Sequence, residues 1–456
     1  KKKTPQPSHS QQLVDAAKAG DAEKLRQVLL LSGLDNLQAP SPPITGSSRI
    51  RTLGDSLSDE KVILRKRDAR SVALTIACQQ GFADVAQVLL KAGVDKEEED
   101  PVTSATPLHV ACGNGKQMVV ELLLNSGASP DVYDRDGRTP LHYACDNGHA
   151  PLVAVLVKHE ADKDVDDEGH TPLHLASLKG WVDVVEALVA VGADKEMTSN
   201  HGATPLHLAC RKGKTKVVKA LIVAGADKDK MNNCGWTPLH MACVHGYWDV
   251  VQALMEAGAD INKEDRSGWR AFHLACMYDN REILKSLFKA GAITNQHAAS
   301  GQSLVHLACR TDDPVIIKMV LRAGLPSDTK DKLGRTPLFH SCCDGKPHAV
   351  PLLLRAGADP NVEAPMHSND VVNTTIMQAA FDQEDGSSAC LLVAAGGALD
   401  VLGKGQTQGK TPLVIANDYA AACKKKSLIV SWDKKHPIRF ISNFALRSIN
   451  DSTETG

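Results

Sequence analysis

Cysteine and histidine have the widest chemical reach of any residues in this chain. The sequence holds 12 Cys and 18 His. They recur three positions apart, as in His109 with Cys112, His207 with Cys210 and His240 with Cys243. A thiol beside an imidazole is the pairing that nucleophilic catalysis employs, provided a third group orients the ring. A second constellation, His340-Ser341-Cys342-Cys343-Asp344-Gly345-Lys346-Pro347-His348, has the composition of a zinc site, which requires four converging ligands.

Spacing argues against both readings. Cys112, Cys145, Cys210, Cys243, Cys276, Cys309 and Cys342 are separated by 33 residues or, once, by 65, and Cys78 lies 34 before the first. Eight of the twelve cysteines therefore mark one position of a repeat. A His–Cys pair copied from unit to unit is scaffolding rather than one active site. Cys342 belongs to that ladder and Gly345 reads as a helix cap, which turns the side chains of the 340–348 run in different directions. The chain carries no G-x-x-x-x-G-K-[ST], H-E-x-x-H, G-x-S-x-G or kinase signature. Neither a catalytic residue, nor a metal site, nor a cofactor, nor a small-molecule substrate is expected.

The elements that carry these residues follow from the same period. Thr106-Pro107-Leu108-His109 recurs at Thr139, Thr171, Thr204 and Thr237, with looser copies at Arg270, Ser303 and Thr336. Weaker units lie at Leu13–Gly20, Leu74–Gly81, Thr374 and Thr411, giving twelve in all. Within a unit, Thr supplies an N-cap oxygen and Pro takes the first helical position, where its missing N–H costs nothing. A Gly such as Gly213 or Gly246 ends this short helix. Apolar pairs such as Val217-Val218 and Leu221-Ile222 mark a second helix, closed by Gly225-Ala226-Asp227. A turn such as Asn233-Cys234-Gly235-Trp236 then returns the chain to the next Thr-Pro. Helices this short are marginal alone and depend on stacking against their neighbours.

Composition fits thin helical layers. Aromatic residues are 4% while apolar residues reach 43%, so the core is built from small aliphatic side chains. The 52 Lys and Arg balance 54 Asp and Glu for a formal −2, which argues against a globally basic nucleic-acid binder. No apolar run is long enough to span a membrane, and Lys1-Lys2-Lys3-Thr4-Pro5 lacks the apolar core of a signal peptide. Ladder cysteines one helical layer apart, about 10 Å, are beyond disulfide reach. Unpaired buried thiols point to a reducing compartment, the cytoplasm or alternatively the nucleus.

The T-P-L-H motif, the Ala-Cys or Ala-Ser after it, the capping Gly and the Gly-Ala-Asp closure all recur in register, and together they resemble the ankyrin-repeat family over roughly residues 11–420. The resemblance implies an all-α, right-handed solenoid with β-hairpin fingers, its first helices and fingers lining a groove that recognises proteins. It implies that the T-P-L-H histidines bridge backbone groups within and between repeats. The expected organisation is a basic, polar arm (1–10), a degenerate first repeat (11–33), a Pro/Ser-rich insertion (34–67), regular repeats (68–360), divergent repeats (361–422) and a C-terminal capping segment or tail (423–456). Ser56 and Asp59 in the insertion have the spacing of a phosphate acceptor, a pattern common by chance. Lys1–Lys3, Lys424-Lys425-Lys426 and Lys434-Lys435 read as solvated surface or as contacts for an anionic partner.

Carried residue by residue, the family's groove positions fall on Asn233, Cys234, Trp236, Val244 and His245 in the seventh repeat, and on Arg266, Ser267, Trp269, Met277 and Tyr278 in the eighth. Trp236 and Trp269 occupy equivalent finger positions in a chain with 5 Trp, and aromatic and Arg side chains are the usual anchors of protein interfaces. The alternative is that each indole packs over the neighbouring finger. Acidic fingers at Asp134, Asp136, Asp166, Asp167 and Glu168, with basic ones at Lys330, Lys332 and Arg335, would make the groove bipolar. The expected function is a non-enzymatic scaffold or adaptor, monomeric alone, with a protein partner. One alternative is a substrate adaptor of a ubiquitin ligase. For that reading Pro437–Ile449 has a faintly similar apolar pattern but lacks the Leu-Cys-Arg core and following Leu-Pro of a SOCS box. A second alternative is the ankyrin region of an enzyme whose catalytic domain lies outside this chain.

Overall fold

A computed structural model describes residues 8–31, 68–165, 169–292 and 301–365, with scattered positions between 374 and 395. The expectations for 34–67, for Asp166, Asp167 and Glu168, for the lysine clusters and for 423–456 lie outside the described residues, as does most of 361–422. The described helices form ten consecutive pairs in two units, Lys1–Lys228 and Asp229–Gly456. Both are built as all-α ankyrin solenoids.

The first unit pairs α1 (His9–Ala19) with α2 (Ala22–Leu31), α3 (Ala69–Gln80) with α4 (Ala83–Lys91), and α5 (Pro107–Gly113) with α6 (Gln117–Asn125). It continues with α7 (Pro140–Asp146) and α8 (Ala150–Lys158), α9 (Pro172–Lys179) and α10 (Val182–Ala190), then α11 (Pro205–Arg211) and α12 (Thr215–Val223). First helices pack on first helices and second on second; α1 sits directly against α3. The second unit pairs α13 (Pro238–His245) with α14 (Trp248–Glu256) and α15 (Ala271–Met277) with α16 (Arg281–Lys289). Next come α17 (Leu304–Thr311) with α18 (Pro314–Arg322) and α19 (Pro337–Cys343) with α20 (Ala349–Arg355). A two-residue antiparallel pair, β1 (Glu363–Ala364) and β2 (Thr374–Thr375), follows.

The caps form where the sequence places them. Thr204 and Thr237 lie in extended backbone, and each hydroxyl accepts the N–H of the histidine three residues on at 3.4 Å. Gly180 and Gly246 close α9 and α13 in the left-handed region. In the next two repeats Asp279 and Asp312 take that conformation at φ 57° and 54°. Asp tolerates the left-handed region better than most residues because its short side chain can bond locally.

Each core layer is small and dry. Leu206, Leu239 and Leu304 are at most 1% exposed, and so are all eight ladder cysteines. The ladder thiols are in no disulfide, and burial pushes each of those with a displaced thiol upward, Cys309 to about 12. Second helices bury one stripe only: α16 turns Ile283, Leu284 and Leu287 inward and leaves Lys285 and Lys289 outside.

Fingers are tight turns with little regular strand. In the Asn232–Trp236 finger the two end residues are joined by Asn232 N–H to Trp236 C=O at 2.9 Å, and Gly235 N–H returns to Asn232 C=O at 2.9 Å. Gly235 has φ +80°, and a Cβ there would lie 2.6 Å from the backbone nitrogen of Arg266 in the next finger. Only glycine meets both demands.

Candidate protein-binding surface

Five of the seven histidines at the T-P-L-H position are consumed by the scaffold through both ring nitrogens. In His109, His142, His174, His240 and His306 the Nδ1 accepts the backbone N–H of the cap residue at 3.1–3.2 Å. The other ring nitrogen therefore carries the proton. It donates to a carbonyl in the following finger: Arg138, His170, Ala203, Trp269 and Arg335 respectively, at 3.0–3.2 Å. Burial holds His109 and His240 below the ordinary imidazole range. These rings brace the stack and face no open site.

The 340–348 run disperses as its spacing requires. His340 meets Asp331 at 2.9 Å, Cys342 is buried, and His348 meets Asp312 at 2.9 Å. Among the described residues no group of three His, Cys, Asp or Glu side chains is placed to hold a metal.

The fingers are locked by a side chain whose role the sequence conceals. Asp134, Asn232, Asp265 and Asp331 each accept two backbone N–H bonds, from residues two and four further on, at 2.8–2.9 Å. Two members of the expected charge pattern are spent this way. Asp134 is 8% exposed and also takes the Tyr143 hydroxyl at 2.7 Å. Arg335 pairs with Asp331 at 2.9 Å. Burial alone would raise the Asp331 carboxyl, but bonds from His340, Arg335 and backbone amides hold it below the usual range. Neither Asp134 nor Arg335 is a free charge for a bipolar groove; Asp136, Lys330 and Lys332 remain exposed.

The seven candidate contact residues all lie in the second unit, in two groups. Asn233, Trp236, Arg266 and Trp269 belong to two successive fingers, while His245, Met277 and Tyr278 stand at the far ends of α13 and α15. α13 has 8 residues, so about 12 Å separates the groups at roughly 1.5 Å per residue. That width matches one α-helix with its side chains, about 10–12 Å.

Within the finger group, Trp236 is half-buried and its indole N–H donates to Asp265 of the next finger at 3.1 Å. Trp269 is half-buried and edge-on to His273, with centroids 5.9 Å apart. Trp236 thus reaches the neighbouring finger, whereas Trp269 packs against a histidine of its own repeat. Asn233, Cys234 and Arg266 are exposed. In the other group Tyr278 is 49% exposed, Met277 half-buried, and exposed His245 tilts over Tyr247 at 6.2 Å. Two exposed aromatics of the second unit, Tyr247 and Trp248, are not among the expected contacts. Tyr247 and Trp248 follow the capping Gly246, and the Trp248 indole reaches Ser286 Oγ at 3.1 Å. Trp248 falls off the Val250-Val251-Leu254 stripe of α14, a helical-phase signal that would have exposed it.

Comparison with known proteins identifies the repeat itself. The family model for ankyrin repeats (3 copies) matches residues 54–134, 74–167, 108–199, 163–231, 191–265 and 272–364, more than half of the chain. Ankyrin repeat and SOCS box protein 6 from Homo sapiens and from Pongo abelii each align at 34% identity over 101 residues, 22% of this chain. The chain spans only 24% of the length of those relatives. Among solved structures, the human ASB11 ankyrin repeat domain aligns at 27% identity with a TM-score of 0.45, covering 48% of this chain and 98% of that one.

Proposed function

The chain belongs to the ankyrin-repeat family, and from that membership we propose that it acts as a non-enzymatic adaptor, binding a partner polypeptide on the first-helix and finger face of its second unit. One observation carries this reading. The ladder cysteines and the cap histidines are absorbed by the repeat, while two adjacent layers leave half-buried Trp236 and Trp269 with exposed Arg266 at one edge, and half-buried Met277 with exposed Tyr278 and His245 at the other. A helical or extended segment laid across α13 and α15 would meet the indole faces at one side and Tyr278 at the other. The buried thiol ladder, without a disulfide, supports a reducing compartment, the cytoplasm or the nucleus.

The test is quantitative affinity capture with wild type, Trp236→Ala and Trp269→Ala, each checked for helicity. Loss of the same captured proteins from both variants, by about 2 kcal/mol or more in affinity at unchanged helicity, supports the reading. Full affinity in both variants excludes this face, and loss of helicity in both makes the rings packing elements only. The two SOCS box relatives, matched over 24% of their length, favour a second reading, a substrate-recognition adaptor of a ubiquitin ligase. Co-purification with elongin separates it from a plain scaffold.

A further inference from the structure

The opposite, second-helix face of the same unit holds a feature that the groove does not use. α16 and α18 approach each other less closely than α14 and α16 or α18 and α20 do. The gap is a cleft of about 580 Å³, lined by Lys285 and Phe288 of α16 and by Val315, Lys318, Met319 and Arg322 of α18. Phe288 and Met319 are half-buried, and Val315 is 43% exposed, which is open for a β-branched apolar residue. Lys285, Lys318 and Arg322 are exposed around this apolar lining.

The charge around the cleft is one-sided. α18 contains no acidic residue, and Glu282 is the one acid of α16, already paired with Lys285 at 2.8 Å. Lys318 and Arg322 have no ion-pair partner among the described residues. They stand one helical turn apart, a like-charge spacing that costs a helix roughly 0.2–0.5 kcal/mol. Arg322 gains from the negative end of the helix dipole, but Lys318, at mid-helix, does not. An apolar recess with uncompensated cations on its rim is complementary to apolar side chains flanked by carboxylates.

We propose that this cleft docks an acidic segment of a partner protein, with a Leu, Phe or Met side chain against Phe288 and Met319 and flanking carboxylates on Lys318 and Arg322. The cleft is independent of the groove, so one chain would hold two polypeptides on opposite faces. A recess between two helices favours an inserted side chain over the broad plane of a membrane.

The experiment selects random dodecapeptides displayed on phage against the full chain, then measures synthetic copies by fluorescence anisotropy. The expected result is enrichment of Asp and Glu around Leu, Phe or Met, with affinity falling as salt rises. Binding of those peptides should drop about tenfold or more in Lys318→Glu/Arg322→Glu and severalfold in Met319→Ala. It should be unchanged in Trp236→Ala, which keeps this outcome apart from the groove reading. All substituted positions are exposed or half-buried, and helicity is checked for each. Absence of acidic enrichment, or equal binding to wild type and the charge-reversed variant, overturns the proposal. So does loss in Trp236→Ala instead, or cleft-dependent binding to phosphatidylserine vesicles with no acidic peptide selected.

Discussion

Replacing His240 by Ala removes the hydrogen bonds of a ring that ties one helix cap to the next finger. His240 is 1% exposed; its Nδ1 accepts the Thr237 N–H at 3.1 Å, and its Nε2 donates to the Trp269 carbonyl at 3.2 Å. Alanine leaves both backbone groups without partners, at about 1–3 kcal/mol for each buried polar group. The Thr237 amide is on a fully buried residue and bears the full cost, whereas Trp269 is half-buried and its carbonyl can regain water. The expected loss is therefore about 2–5 kcal/mol, concentrated where α13 meets the following finger. A stacked repeat unfolds locally, so amide hydrogen exchange is the decisive assay, with urea melts beside it. Exchange at Thr237 and across 265–270 should accelerate by about one and a half to three and a half orders of magnitude, at roughly 1.4 kcal/mol for each. The pH response has a fixed sign. Burial lowers the folded-state pKa of His240, so the unfolded chain takes up the proton first as pH falls. The ring's contribution is complete above about pH 6.5 and is lost as pH drops through the folded value. Wild type should thus weaken in mild acid, and His240→Ala should weaken less steeply. A variant with wild-type exchange at Thr237 and an unchanged acid slope would refute the bracing role.

Leu206 is fully buried in α11, and Leu206→Ala should cost about 2–5 kcal/mol in a urea melt, as large-to-small core changes do. The eight ladder thiols should react with an aromatic disulfide reagent only on unfolding, whereas exposed Cys234 reacts at once. A fast burst from any ladder cysteine in the native protein would contradict the burial of that layer.

Much of the fold was legible because a repeat states its own rules. Thr-Pro caps, capping glycines, the cysteine ladder and the apolar stripes of the second helices are local patterns, and local sterics and hydrogen bonding enforce them wherever they occur. The sequence by itself therefore determined the unit, its period and the scaffolding fate of the histidines and ladder cysteines. It also brought Trp236 and Trp269 to equivalent finger positions. Tertiary structure decided what each finger side chain does. Asp134 and Asp265 have the same chemistry as any exposed acid, yet each is spent on two amides of its own turn. Trp236 reaches Asp265, 29 residues away, and separates from Tyr278 by the length of a helix that the motif treats as one site. The α16–α18 cleft depends on how far two second helices stand apart, which neither helix encodes alone. Contacts between layers join residues about one repeat apart, and their geometry is set by the packing of whole helix pairs. No local pattern carries that packing, because the same amphipathic stripe buries equally well over a range of helix separations.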